Sequence, residues 1–163
     1  MNKFIFEYKE NKYVCKYETV TLEKTIEIDF QSYKNSQFNS FNEMLSVFSI
    51  LHIQIFKENE LVFDSYENSF ENIHFDIVKK VYPELKKNLN ISSEEIDEYL
   101  NICKEFISSK NKNIAMPKEL LVAKKIFRNE LKLTHKEMME MPAKEYEKIY
   151  LAINLFKQAV NEF

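Results

Sequence analysis

Three histidines, two cysteines and one run of carboxylates are the groups in this chain from which chemistry could be built. His52, His74 and His135 have no second histidine or cysteine three or four residues away, so none begins the local ligand pair that a zinc site needs. They read as surface or satisfied core histidines. Cys15 and Cys103 stand alone, without metal spacing, and read as small apolar residues in a reducing compartment. Nothing in the sequence marks a nucleophile with a base beside it. The carboxylates cluster in "SSEEIDEYL", residues 92–100. They lack the alternating oxygen spacing of a calcium loop, and Glu94 and Glu95 fall in the first turn of a helix, where negative charge complements the helix dipole. Glycine is absent from all 163 residues. That excludes a phosphate-cradling loop, a dinucleotide fingerprint and a nucleophile elbow. The expectation is a protein with no catalytic residue, no metal and no cofactor. An enzyme is the class with least support.

The elements that would carry any site alternate in two different periods. "KFIFEYKENKYVCKYE" sets Phe4, Phe6 and Tyr8, then Tyr13, Cys15 and Tyr17, against polar neighbours, the period of half-buried strands. "YKENKYV" at 8–14 returns as "FKENELV" at 56–62. In a chain without glycine, Asn11 and Asn59 are the residues best able to take a left-handed position. Two hairpins over residues 3–18 and 52–64 are expected, turning at or beside those asparagines. "TVTLEKTIEIDF" continues with β-branched and apolar residues to Phe30, and reads as a third strand. "SFNEMLSVFSIL" reads as a helix opened by a Ser40–Glu43 capping box, with Phe41, Met44, Leu45, Phe48 and Leu51 on one face.

From residue 68 the period is helical. Asn68 or Ser69 caps a helix carrying Phe70, Ile73, Ile77, Val78 and Val81, which Pro83 is expected to end. Ser92 starts the next, with Ile96, Tyr99, Leu100, Cys103, Phe106 and Ile107 on its buried face. Pro117 leads a helix through Leu120, Leu121, Phe127 and Leu131. Thr134 and Glu137 make a second capping box. Pro142 opens the last helix, with Tyr146, Ile149, Tyr150, Ile153, Phe156 and Val160 on one side. The class is therefore α+β, with antiparallel hairpins and an inserted helix in a β-rich subdomain (1–66), and a helical bundle in 67–163. No signal peptide precedes the first strand and no apolar run approaches a membrane span, so a cytoplasmic, membrane-free protein is expected.

Charge is uneven. Residues 1–66 hold 7 basic and 10 acidic side chains, 67–109 hold 5 and 9, and 110–163 hold 11 and 7. The basic last third invites a nucleic-acid reading. In "IFRNELKLTHKEMMEMPAKEYEKIYLAINLFKQ", residues 126–158, Arg128, Leu131, Leu133, Thr134, Glu137 and Met138 resemble the first two helices of a helix-turn-helix repressor. No recognition helix follows a tight turn, and Glu145 and Glu147 would oppose phosphate, so nucleic acid is not the expected partner. The same stretch resembles the C-terminal helical segment of phage tail assembly chaperones and related small tail or baseplate proteins. Leu133, Thr134, Glu137, Met138, Met141, Pro142, Glu145 and Tyr146 carry that resemblance, and the hairpin opening is similar to the start of such proteins. It implies a non-enzymatic role in assembling or building a tail or baseplate. The partners would be other structural proteins of the particle, met in the host cytoplasm during assembly or retained in the virion. A second copy of the chain is a further candidate partner. The expected docking face is aromatic: Tyr146, Tyr150, Phe156 and Phe163. The alternative is a small phage-encoded inhibitor that occludes a host enzyme, to which an acidic face over 67–109 would suit.

Overall fold

The fold is a computed structural model that describes residues 1–35, 40–67, 73–109 and 115–161. It is α+β, in two compact units, Met1–Leu89 and Asn90–Phe163.

Both hairpins of the first unit form. β1 (Asn2–Tyr8) pairs with β2 (Asn11–Tyr17), and β3 (Gln54–Lys57) pairs with β4 (Glu60–Asp64). β2 also pairs with β3, giving one antiparallel sheet in the order β1-β2-β3-β4. The shared Lys-Glu-Asn phrase turns in two registers. In the first hairpin Tyr8 pairs with Asn11, so Lys9 and Glu10 are the loop, at φ 46° and 61°. In the second Lys57 pairs with Glu60, so Glu58 and Asn59 are the loop, at φ 50° and 70°. Asn59 takes the left-handed position expected of it. Asn11 does not: it is the first residue of β2, and its amide Nδ2 donates to the Lys9 carbonyl at 2.8 Å, steadying the turn from outside.

The expected third strand over 19–30 is a helix instead. α1 (Leu22–Asn35) begins at Thr21, whose hydroxyl accepts from the Lys24 N–H at 3.3 Å, with Glu23 in the first turn. This local capping decides against the β-branched composition, which is a weak signal by itself. Ile28 is buried while Ile26 and Phe30 are exposed, so strand-like alternation is not used. α1 packs on α2 (Ser40–Ile50). Between them Glu43 Oε1 accepts from Ser32 Oγ at 3.0 Å and from the Tyr82 hydroxyl at 2.9 Å. Glu43 thus braces three helices, and the Ser40 side chain expected to share a capping box with it lies outside the described residues.

α3 (Phe75–Leu89) runs straight through Pro83, which was expected to end it. An interior proline costs about 3 kcal/mol through the lost bond and the clash one turn back. Val78, Val81 and Leu85 are fully buried and Tyr82 and Leu89 nearly so, and that apolar face outweighs the cost. Asn68, Ser69 and Phe70 lie outside the described residues. The change from strands to helices at 66 is not the break between units. α3 packs on α2 and β1, with Lys80 Nζ donating to the Glu7 carbonyl at 2.8 Å, and the division falls after Leu89.

The second unit holds α4 (Ser93–Ser108), α5 (Lys118–Phe127), α6 (His135–Glu140) and α7 (Ala143–Asn161). Its core joins Tyr99, Cys103, Leu120, Ala123, Ile149 and Ala152, where α5 and α4 pack on α7. With no glycine to hand, Ala123 and Ala152 are the small residues at the α5–α7 contact, both fully buried. The expected Thr134–Glu137 capping box forms, and Ser92 makes a further one with Glu95. Glu95 also takes Lys144 at 3.3 Å, and Lys118 pairs with Glu145 at 2.9 Å, so each end of the α7 start is pinned to another helix.

Candidate functional site

The second unit contains an apolar pocket of about 200 Å³ lined by Ile126, Leu133, Met138, Tyr146, Ile149, Tyr150 and Ile153. Local rules build it. α5 stops in a left-handed cap at Asn129, φ 58°, with the Glu130 N–H returning to the Lys125 carbonyl at 2.8 Å and the Asn129 N–H to that of Ile126 at 3.0 Å. This is the pairing of a Schellman motif, with asparagine where glycine is usual. The chain then runs extended past Leu133 to Thr134, whose capping box starts α6 and turns Met138 inward. Met141 and Pro142 reverse the direction again, and the Pro142 carbonyl accepts from the Tyr146 N–H at 3.0 Å to begin α7. Residues 129–142 therefore form an arch, and the pocket lies where the arch meets α5 and α7. Tyr146 is half-buried and Tyr150 is 55% exposed, so the pocket has an aromatic, solvent-facing lip. It can take up a large apolar or aromatic side chain.

Of the aromatic face expected from the sequence, Tyr146 and Tyr150 come together here. Phe156 does not join them. It stacks on Phe127 at 5.7 Å, and lines a separate pocket of about 280 Å³ with Phe106, Ile107, Met116, Leu120, Lys124 and Arg128. The two aromatic positions diverge because, at about 100° per residue, Phe156 lies roughly 120° around α7 from Tyr150, whereas Tyr146 lies only about 40° from it. Phe163 lies outside the described residues.

A second constellation, in the first unit, was not legible in the sequence. His52 sits at φ 48°, the left-handed residue that ends α2: its N–H returns to the Ser49 carbonyl at 3.1 Å and that of Ile53 to Phe48 at 3.0 Å. Its ring stacks on Tyr66 at 3.7 Å, nearly parallel. Nε2 lies 3.1 Å from Asp64 Oδ1, and Nδ1 lies 3.6 Å from Glu18 Oε1. Asp64, buried, also accepts from Gln54 Nε2 at 2.6 Å and from the Tyr66 N–H at 2.8 Å. Burial pushes the Asp64 carboxyl up, but those hydrogen bonds together with His52 outweigh it and hold it below the usual carboxylate range. Glu18 is also held low, first by the hydrogen bond from Lys24 and further by His52. Since both imidazole nitrogens face carboxylates, neither is directed at a nucleophile, which general-base catalysis would need. The arrangement is a clasp joining the end of β2, the end of α2 and the end of β4. The hairpin was the available signal, because the pairing of Gln54 with Asp64 brings residues 52 and 64 together.

The remaining chemical candidates are each accounted for by packing. Burial pushes the Cys15 thiol up to about 12 and also raises Cys103, so neither is a ready thiolate. Glu95 is held low by the Ser92 backbone and by Lys144. His74 pairs with its neighbour Asp76 at 3.5 Å and packs on Tyr8. Among the described residues no three His, Cys, Asp or Glu side chains are grouped to hold a metal ion, and no helix is long and apolar enough to cross a membrane. Comparison with family models, curated proteins and solved structures gave no match to this chain.

Proposed function

We propose that this chain acts by binding another protein, not by catalysing a reaction, and that the α5–α6–α7 pocket receives an apolar or aromatic anchor from that partner. The observation that carries the reading is the pocket itself, mainly apolar and lipped by Tyr146 and the exposed Tyr150. Tyrosines at the rim of a desolvated pocket are the arrangement in which a few side chains supply most of the binding energy. We assign the partner to the structural proteins of a phage or phage-like tail or baseplate, met in the host cytoplasm during assembly. Three residues that carry the sequence resemblance to tail assembly proteins, Leu133, Met138 and Tyr146, also line the pocket.

Purified particles and their assembly intermediates test the reading. The chain is expected there at fixed stoichiometry by quantitative mass spectrometry. Tyr146→Ala and Tyr150→Ala, with folding confirmed by circular dichroism, are expected to weaken capture of the co-assembling protein by about 30-fold, equivalent to about 2 kcal/mol. Unchanged capture by both variants would remove the pocket from the interface. Absence from every particle and intermediate would remove the tail assignment and return the inhibitor reading.

A further inference from the structure

The sheet has two edges, β1 and β4, and they are built differently. β4 is five residues long, carries a bulge where Ile55 pairs with Phe63 but Phe56 with Leu61, and ends at Asp64 inside the His52 clasp. Shortness and a bulge are devices that stop an edge from pairing. β1 has neither: its seven residues pair one for one with β2. Tyr8 and Asn11 close a two-residue turn and so form a hydrogen-bonded pair, from which bonded and non-bonded pairs alternate. Lys3, Ile5 and Glu7 accordingly turn their N–H and C=O groups away from β2 toward the open edge. The bond that the Glu7 carbonyl accepts from Lys80 shows that orientation directly.

The side chains of these residues stand on the sheet face opposite Phe4, Phe6 and Tyr8. Ile5 is 69% exposed there. It ends an apolar row that crosses every strand, Ile5 opposite Val14, Val14 opposite Phe56, and Phe56 opposite Leu61. Beside that row Lys3 stands opposite Lys16 in the register, a like-charge pairing that disfavours the sheet, and the Lys16 ammonium lies over the Phe56 ring at 4.3 Å.

We propose that β1 is the seam of a homodimer, pairing antiparallel with β1 of a second copy about a two-fold axis at Ile5. In that register Ile5 exchanges both backbone bonds with Ile5 of the second copy, Lys3 faces the second copy's Glu7, and Glu7 faces the second copy's Lys3. The charges select this occupant. A lysine and a glutamate equally spaced on either side of Ile5 are complementary to themselves under a two-fold rotation, as an isologous interface requires. The second copy's Glu7 comes to stand beside Lys3 on the side away from Lys16, which relieves the like-charge pair. The apolar row then runs unbroken through both sheets. A carbonyl oxygen has two lone pairs, so Glu7 can accept from the second copy while keeping Lys80. None of this depends on the α5–α6–α7 pocket.

Sedimentation equilibrium on the purified chain tests it with a charge exchange. The parent is expected to be a dimer at micromolar concentration. Lys3→Glu and Glu7→Lys each place like charges across the seam, and each is expected to raise the dimer dissociation constant at least about tenfold. The double variant Lys3→Glu, Glu7→Lys restores opposite charges and is expected to return within about threefold of the parent. Both side chains are exposed; Glu7→Lys also sets a lysine opposite Lys12, so circular dichroism confirms the fold of each variant before its dimer constant is read. Tyr150→Ala leaves the dimer intact, which separates this seam from the pocket. A parent that stays monomeric up to roughly millimolar concentration, or a dimer indifferent to both single exchanges, would overturn the proposal.

Discussion

Asp64 shows how a carboxylate is kept ionised while nearly excluded from water. Burial alone would favour its neutral form, and three donors reverse that by bonding to the charged one. Replacing it by asparagine keeps the shape but removes the charge that Gln54, Tyr66 and His52 converge on. Asp64→Asn is expected to cost about 1–3 kcal/mol at pH 7, measured by urea unfolding. The pH dependence has a definite sign. Asp64 and Glu18 are both depressed in the folded state, so the unfolded chain binds more protons as acid is added. Their contribution is complete above the ordinary carboxylate range, and is lost as pH falls from about 5 through the folded-state values. The parent should lose stability more steeply than Asp64→Asn over that window, and parallel curves would show that Asp64 is not the titrating group. At this scale the sequence was legible where partners are neighbours. The Thr134–Glu137 box, three residues apart, forms as expected, and Ser92 starts α4 with Glu95 in its first turn. His52 and Asp64 were not legible, because only the folded hairpin makes them adjacent.

Among the elements, the two hairpins could be read from alternation, since Phe4, Phe6 and Tyr8 and their partners across the turn share a face whichever residues form the loop. The loop register could not, because moving the turn by one residue on both strands preserves that face. α1 was misread for a related reason: Thr21, Thr25, Ile26 and Ile28 have strand-like composition, while the deciding signal is a single side-chain bond at Thr21. At Pro83 a local rule predicts the end of α3, and the helical period outweighs it. The buried series Val78, Val81, Tyr82, Leu85 and Leu89 continues across the proline without a break in phase. Pro83→Ala is therefore expected to raise the unfolding free energy, by up to about 3 kcal/mol, through a restored N–H bond to the Lys79 carbonyl. A loss of stability in urea unfolding would mean instead that α3 gains more from the proline's fixed backbone than the missing bond costs.

For the molecule as a whole, the α+β class is legible in the sequence, but the change of period sets the break at the last strand, whereas α3 belongs with the sheet and the break follows Leu89. Composition cannot locate such a break, because it depends on which face of the sheet a helix covers. The basic surplus of residues 110–163 likewise says little about how a partner is held. Lys118 and Lys144 are already paired with Glu145 and Glu95, and the pocket proposed for the partner is lined by apolar and tyrosine side chains. Capture of the partner is expected to change less than about threefold between low and high salt, since exposed charge pairs are screened and buried aromatic contacts are not. A steep salt dependence, abolished by neutralising Lys124, Lys125 and Arg128, would make the basic face the site and nucleic acid the partner.

The pocket's tyrosine lip also has an optical consequence. The chain contains nine tyrosines and no tryptophan, so excitation at the red edge of the aromatic band leaves it dark. Any indole emission from a complex would then belong to the partner alone. A tryptophan seated between Tyr146 and Tyr150 would move from water to an apolar surrounding, shifting its emission to the blue; under shorter-wavelength excitation, which does reach the tyrosines, it would also collect energy from both rings. Occupancy of the pocket could in this way be followed without a label on either protein.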